Sequence, residues 1–565
     1  MQNPPFDPAA ATRPFSAWTG LGHWNFYFLG KILLFWAGYL NLDPFYNAVF
    51  AAALLVPLGR GWLNRLRHLT AIPFAVALLY YDSWLPPFSR LLAQPEVLNF
   101  SPAYLLEILG RFLNWNVIAA GFLAWVAYLF LSQWVRLTTL SIGALTYLVL
   151  SPLITLPDWI WTRIDNAPQA QWTVQAATAQ AGNAGIANPN GAVPVQPPGQ
   201  TAPAGKPGNE QLNTALNTFY ATERNRTVAF PQQTSTPPFD ILFISICSLA
   251  WSDLDETRLR NHPLFNNLDV VFDNFNSATS YSGPAVLRLM RAGCGQTPHA
   301  ELYKTGDDQC YLFENLRKLG FTGESALNHT GEFQGFLDEI RQNGHFPEPF
   351  IPKNTRPFLT GFDGSPIWND LGTLNTWWNN RLNSPDPRKA LFYNTITLHD
   401  GNREATADGG GKTAPFVTRA QRLLDEMNTF IAELEKSGRH AMVVFIPEHG
   451  AALKADKMQI AGMREVPTRD ITHVPVGVRL VGTKAPRNAA PTHVTSTSSF
   501  LALADLVARV VEQDVFQETR IDWPALVQDL PVTPPVSENE GTVLMEYNGL
   551  PYIRVGGRNW IEYPR

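Results

Sequence analysis

Apolar positions along the chain follow two regimes. Between Trp24 and Leu156 they form long runs with few charges, and from Phe239 onward they form short runs that alternate with amphipathic segments. A bilayer core takes about 20 apolar residues per helix, and the first regime divides into five candidate spans: Trp24–Leu42, Pro44–Leu58, Leu69–Leu85, Trp115–Val135 and Leu137–Leu156. The stretch Asn99–Asn114 sets Glu107 and Arg111 on an apolar background, the pattern of a helix lying at the interface. Arg60, Arg65, Arg67 and His68 crowd the loop expected after the second run, and Arg136 separates the last two. The positive-inside rule puts both loops and the N-terminus on the cytoplasmic side, and everything after Pro157 outside. The first dozen residues lack a basic-then-apolar leader, so the first span is expected to serve as the targeting signal.

In the second regime three runs read as strands covered on both faces, because they are continuously apolar and rich in Ile and Val. They are Asp240–Cys247, Ala390–His399 and Ala441–Pro447, the last running into Glu448-His449-Gly450. Helical patterns fall at Glu210–Asn225, Gly283–Ala292, Thr418–Ser437 and Ser498–Glu512, with a further strand at Val474–Val481. Such alternation predicts an α/β domain with a mostly parallel sheet. The organisation expected is a multi-span helical membrane domain over 1–160 and an α/β domain over 237–565. Between them, 161–236 is a linker rich in Ala, Gln, Gly and Pro with one short helix.

Ligands of open α/β sheets sit beyond the carboxyl ends of the strands. Cys247, His399, Glu448 and His449 stand at such ends, and thiol, carboxylate and imidazole are zinc-type donors. Ser282, in Ser277-Ala-Thr-Ser-Tyr-Ser-Gly-Pro284, opens a helix. It is either a cap or a nucleophile at an anion-favouring helix N-terminus. Zinc lowers the pKa of bound water from 15.7 to about 7 and can activate a hydroxyl in the same way. Cys247, Ser282, Glu448 and His449 would give one tetrahedral ion its four donors. Arg464 is a candidate phosphate partner, because Arg engages phosphate bidentately, or else a surface ion pair. His473 is a supporting or leaving-group candidate, while Asn328, His329 and His345 are expected in solvated loops. Asp408–Lys412 reads as a flexible rim, since no strand–GxxxxGK pattern makes it a P-loop.

A net charge of −5 without a basic run excludes nucleic acid as a partner. Of three cysteines, Cys294 and Cys310 bracket a short polar segment and could pair in an oxidising compartment. Cys247 is then the odd one out, a buried small apolar residue or a metal ligand.

A strand ending in a metal ligand (Cys247), a hydroxyl at the next helix start (Ser282) and an acidic-His-Gly strand end (Glu448-His449-Gly450) resemble the alkaline phosphatase superfamily. Within it the chain resembles the membrane phosphoethanolamine transferases, and most closely the branch that modifies cellulose in enterobacterial secretion systems. The likeness covers nearly the whole chain. It implies that Ser282 is the nucleophile, that Cys247, Ser282, Glu448 and His449 hold one zinc ion, and that Tyr281 and His399 line the site. Phosphoethanolamine would pass from phosphatidylethanolamine to Ser282, and then to the C6 hydroxyl of glucose in cellulose. His399 or His473 would move the protons. The resemblance further implies a multi-pass inner-membrane protein with a periplasmic catalytic domain, working beside cellulose synthase subunits. Most of the superfamily carries a carboxylate where Cys247 stands and Asp where Glu448 stands. Both departures favour the cellulose-modifying branch over lipid A modification.

Rival readings are another envelope glycan or lipid A as acceptor, a phosphodiesterase or sulfatase on the same scaffold, and a non-catalytic scaffold with a structural metal. A sulfatase would need a Cys-x-Pro-x-Arg-type motif near the first strand, and structural zinc is usually closed by Cys and His alone. Trp377 and Trp378 would either stack on pyranose rings or pack in the core.

Overall fold

A computed structural model describes residues 20–57, 61–83, 102–112, 115–151, 206–233, 237–406 and 411–563. Two compact units result, one drawn from 1–32, 42–78 and 131–208, the other from 33–41, 79–130 and 209–565.

Each apolar run of the N-terminal third contains a helix: Trp24–Trp36, Pro44–Leu55, Trp62–Asp82, Trp115–Leu131 and Leu137–Leu150. None of the helices among the described residues is long and apolar enough to cross a membrane. Four stop at 12 to 17 residues. The fifth, 21 residues long, starts at Trp62 and not Leu69. It therefore takes Arg65, Arg67 and His68 into its own first turns instead of leaving them in a loop, which lowers its mean hydropathy. Within the first unit the polar groups of the apolar helices pair with one another: Lys31 Nζ donates to Asn47 Oδ1 at 2.7 Å and Ser141 Oγ to Asn25 Oδ1 at 3.1 Å. Such pairing offsets the cost of burying them. Arg60, the end of the last expected span and linker residues 161–205 lie outside the described residues.

The second unit is built on a seven-stranded sheet of order β10-β2-β9-β8-β1-β6-β3. These strands are β1 Asp240–Ile246, β2 Val270–Asn276, β3 Thr322–Leu327, β6 Lys389–Thr395, β8 Ala441–Pro447, β9 His473–Val481 and β10 Thr492–Val494. Only β9 runs antiparallel to its neighbours, so the sheet is mostly parallel. The continuous apolar runs follow from cover on both faces. Ile241 and Phe243 pack into one cluster with the Ser282–Met290 and Phe500–Glu512 helices. Leu242, Ile244 and Ile246 pack into another with the Asp370–Leu382 and Phe416–Lys436 helices. Trp377 and Trp378 lie in this second core, each 3% exposed, and are not available to stack on a sugar.

The run expected to end at His399 leaves the sheet at Thr395. Asn328 explains the early stop, since its amide donates to Thr395 and Thr397 Oγ1 at 2.9 Å while its oxygen accepts from Ile396 N at 3.1 Å. Side-chain bonds of this kind compete with the ladder. His399 therefore sits in the turn beyond the strand.

Two smaller sheets were not foreseen. The three-stranded one, order β5-β4-β7, comprises β4 Leu359–Thr360, β5 Pro366–Ile367 and β7 Arg403–Glu404. The four-stranded antiparallel one runs β11 Val536–Asn539, β12 Thr542–Tyr547, β13 Leu550–Val555 and β14 Ile561–Glu562. Its β12–β13 turn is Asn548-Gly549, both at positive φ, the residue pair that a tight hairpin favours. The Asn209–Glu223 helix buries Leu212, Leu216 and Phe219 against this sheet, so the helical end of the expected linker packs as part of the second unit.

Cys294 and Cys310 form a disulfide with a sequence separation of 16 residues, and Cys247 is free and buried. Closing a loop of that length constrains the unfolded chain by roughly 3 kcal/mol. Replacing both cysteines with alanine is expected to lower stability by that amount, read as a fall in the urea midpoint.

Candidate active site

Because β8, β1 and β6 are neighbours, the residues that follow them are brought side by side. Glu448 N donates to Ile246 O at 2.9 Å, Cys247 N to Thr395 O at 3.0 Å and Leu249 N to His449 O at 2.6 Å. The ligand atoms of Cys247, Glu448 and His449 lie within 4.8 Å of one another, and all three residues are buried. Ser282 arrives from β2 on a loop that the C-terminal sheet holds. Asn539 Oδ1 accepts from Thr279 Oγ1 at 3.0 Å and Ser280 N at 3.2 Å, and Glu538 N donates to Ala278 O at 2.9 Å.

The N-cap of the Ser282–Met290 helix is Tyr281, without a side-chain cap bond. Ser282 Oγ is instead 3.4 Å from Cys247 Sγ and 3.3 Å from His449 Nε2, while Cys247 Sγ is 3.8 Å from His449 Nε2. With metal–ligand bonds of about 2.0–2.3 Å, a tetrahedral zinc site has edges of about 3.3–3.8 Å. Glu448 Oε1 accepts from Ser245 Oγ at 2.7 Å and from Asn394 Nδ2, whereas Glu448 Oε2 is buried without a hydrogen-bond partner. Sulfur, nitrogen and oxygen donors at these spacings, with one orphaned carboxylate oxygen, fit a zinc-type cation.

Burial works against charge throughout the cluster. It pushes the Cys247 thiol up, with help from the Glu448 charge, and raises the Glu448 carboxyl to about 6. Burial and the Arg464 charge hold the His449 imidazole well below its ordinary value. A bound cation offsets this cost by favouring thiolate and carboxylate.

Arg464 points into the cluster: its Nη1 donates to Ser248 Oγ at 3.1 Å, lies 3.1 Å from His449 Nδ1, and its guanidinium sits 5.9 Å from the centre of the Tyr281 ring. Tyr281 itself donates to Glu465 at 2.5 Å. His399 has Nδ1 at 2.8 Å from Asp400 O and stacks on Phe362 at 4.4 Å; desolvation and the Arg464 charge lower its pKa to about 4. His473 is held at 2.7 Å from Asp273 O, beside Trp251, and no hydrogen bond among the described residues links it to the donor cluster.

Other contributors escaped the sequence reading. Asn328 and His329 are buried rather than solvated, and His329 Nε2 lies 2.8 Å from Asn394 Oδ1, the residue that orients Glu448. His345 is exposed as expected. Ser245 and Asn394 are polar residues inside buried apolar strands, and such exceptions carry information. Asp253, 1% exposed, accepts from Ala250 N (2.9 Å), Ala451 N (2.7 Å) and Leu453 N (3.3 Å). It thereby ties the loop after Cys247 to the loop after His449. Both loops contain a non-glycine residue at positive φ, Ser248 and Ala452, each costing about 1–3 kcal/mol unless its surroundings hold it. Asp253→Asn, which turns an amide donor toward these N–H groups, is expected to weaken zinc binding roughly 10–100-fold while the chain stays folded. Competition with a chromophoric chelator measures the change.

Comparison with known proteins gives a consistent affiliation. Residues 24–150 match the family described as the cellulose biosynthesis protein BcsG N-terminal domain, and residues 198–560 the corresponding C-terminal domain. Cellulose biosynthesis protein BcsG of Escherichia coli K12 is 46% identical over 554 residues, 97% of each chain, and that of Salmonella typhimurium LT2 is 45% identical over the same span. Among solved structures, an alkaline phosphatase superfamily protein from Vibrio parahaemolyticus is 11% identical with a TM-score of 0.42, covering 62% of this chain and 87% of that one. The C-terminal periplasmic domain of EcEptC from Escherichia coli, in complex with zinc, is 13% identical with a TM-score of 0.40, covering 60% and 96%. At 45–46% identity over 97% of its length, the chain belongs to the BcsG family of cellulose biosynthesis proteins.

Proposed function

We propose that this chain is a zinc-dependent phosphoethanolamine transferase that moves the group from phosphatidylethanolamine to the C6 hydroxyl of glucose in cellulose. The observation that carries this reading is the Ser282 hydroxyl at a helix start, within 3.4 Å of Cys247 Sγ and His449 Nε2, in a cellulose biosynthesis family. Cys247, Ser282, Glu448 and His449 would hold a single zinc ion, which would supply positive charge to lower the hydroxyl pKa and attract phosphate.

Ser282 Oγ gives up its proton and forms a bond to phosphorus as the phosphorus–oxygen bond to diacylglycerol breaks, and the departing oxygen takes that proton. The glucose hydroxyl then gives up its proton and bonds to the same phosphorus as the Ser282–phosphorus bond breaks, and Ser282 Oγ takes the proton back. Arg464, beside Tyr281, pairs with phosphate oxygens. His399 is neutral at pH 7 because its pKa is held near 4, and we assign it the proton transfers, a role worth roughly 10²–10⁴ in rate.

We place the N-terminal helices in the bacterial inner membrane, near the lipid donor and cellulose synthase subunits, and the α/β domain in the periplasm. The Cys294–Cys310 disulfide supports an oxidising compartment. Mass spectrometry of cellulose secreted by cells with and without the chain tests the assignment. Phosphoethanolamine-substituted glucose that depends on the chain is expected. Unsubstituted cellulose in both, or the group appearing on another glycan or on lipid A, overturns it.

A further inference from the structure

The Pro102–Phe112 helix belongs to the same compact unit as the α/β domain. Residues three apart on it meet the turn that carries His399. Tyr104 is 6% exposed; its hydroxyl donates to Asp400 Oδ2 at 3.0 Å and its ring lies 5.9 Å from that of Phe362, which stacks on His399. One turn further on, Glu107 Oε2 accepts from Arg403 Nη2 at 3.3 Å and from Thr413 Oγ1 at 3.4 Å. Gly401, at φ +79°, makes the approach feasible, since a Cβ there would stand 2.5 Å from the Tyr104 ring. From within the domain, Arg419 Nη1 donates to His399 O at 3.0 Å and Asn402 Nδ2 to Ile396 O at 2.7 Å. The turn is held from both sides.

This grip acts on a defined chemical property. Asp400 O can only accept, so the His399 Nδ1 that faces it at 2.8 Å carries the proton and Nε2 keeps the lone pair. Tyr104 fastens the residue whose carbonyl sets that tautomer, and Phe362, packed between Tyr104 and His399, sets the plane of the ring.

We propose that the Pro102–Phe112 helix is a clamp that presets the His399 imidazole, with Tyr104 and Glu107 as positioning residues. Competence for proton transfer then depends on the N-terminal part of the chain and not on the α/β domain alone. The catalytic half of this inference rests on the proton-transfer role given to His399 above.

The test uses the full-length chain in detergent, with Tyr104→Phe, Glu107→Arg, Arg403→Glu and the double variant Glu107→Arg/Arg403→Glu. Amide hydrogen exchange over residues 398–404 reports the grip without reference to activity. Turnover of a phosphatidylethanolamine analogue reports its use. Each single variant is expected to exchange faster in that segment and to lose between about 10- and 100-fold in kcat at unchanged KM and zinc content. The charge-reversed pair is expected to recover most of both. Parental exchange and kcat in the single variants overturn the clamp, and so does a double variant no better than its parents. A raised KM at constant kcat would mean contact with substrate instead of positioning. A wild-type chain without turnover removes the functional reading and the catalytic half with it, while the exchange arm still decides whether the helix holds the turn.

Discussion

Ser282→Ala loses phosphoethanolamine transfer by roughly 10⁴–10⁶-fold, the range seen when a covalent nucleophile is removed, yet unfolds like the parent. The second half of this expectation comes from the helix start. Tyr281, not Ser282, is the N-cap, and the Ser282 hydroxyl faces Cys247 Sγ and His449 Nε2 instead of capping the helix. Deleting it leaves the Thr279, Ser280 and Asn539 bonds of the loop intact, so the stability change stays within about 0.5 kcal/mol. Intact-mass spectrometry with a donor analogue checks the first half: the parent gains a phosphoethanolamine mass on Ser282 and the variant gains none. Transfer by Ser282→Ala at the parental rate would remove Ser282 from the mechanism.

Cys247→Ala and His449→Ala are expected to abolish zinc retention, a loss greater than the roughly 10–100-fold that follows from disturbing residues around the ligands. Each deletes one donor from a closely spaced set in which no other described Cys, His, Asp or Glu joins the three. Elemental analysis of dialysed protein should give about one equivalent for the parent and none for either variant. Thermal unfolding offers a second reading. A ligand bound only by the native state stabilises it by about 4 kcal/mol at a thousand times its Kd, so added zinc raises the parental Tm and leaves those of the variants unmoved. Two equivalents in the parent would sink the single-ion site. Glu448→Gln is expected to fall between these limits, because an amide donates less charge than a carboxylate.

Cys247, Glu448 and His449 could be picked out of the sequence because they follow strands buried on both faces. Such strands announce themselves as unbroken apolar runs, and their last residues stand out. The groups that orient the donors were hidden for the opposite reason. Ser245, Asn394 and Glu448 meet only because β8, β1 and β6 are adjacent, an order that no local pattern encodes. Asp253 acts on backbone N–H groups two hundred residues away in sequence, and nothing near it in the chain marks it out. His329 reads as solvated because Asn328, Thr330, Gly331 and Glu332 beside it are polar residues or glycine, whereas the fold buries it with its Nε2 against Asn394. β2 and β3 escaped because each mixes polar with apolar residues, as in Val-Val-Phe-Asp-Asn-Phe-Asn and Thr-Gly-Glu-Ser-Ala-Leu. In the N-terminal third periodicity located the helices but not their ends, as the early start at Trp62 shows.

Three cysteines allow three different single bridges, and only Cys294–Cys310 leaves the Cys247 sulfur free beside Glu448 and His449. Cys247 comes first in the chain, so oxidation in order of emergence would join it to Cys294 and strand Cys310. If Cys247 holds zinc as proposed, oxidation and metal loading would compete for that one sulfur. A zinc ion bound early would then double as a protecting group, and chains oxidised without the metal are expected to include some locked in the wrong bridge, which zinc supplied afterwards would not restore until the bridge is reduced.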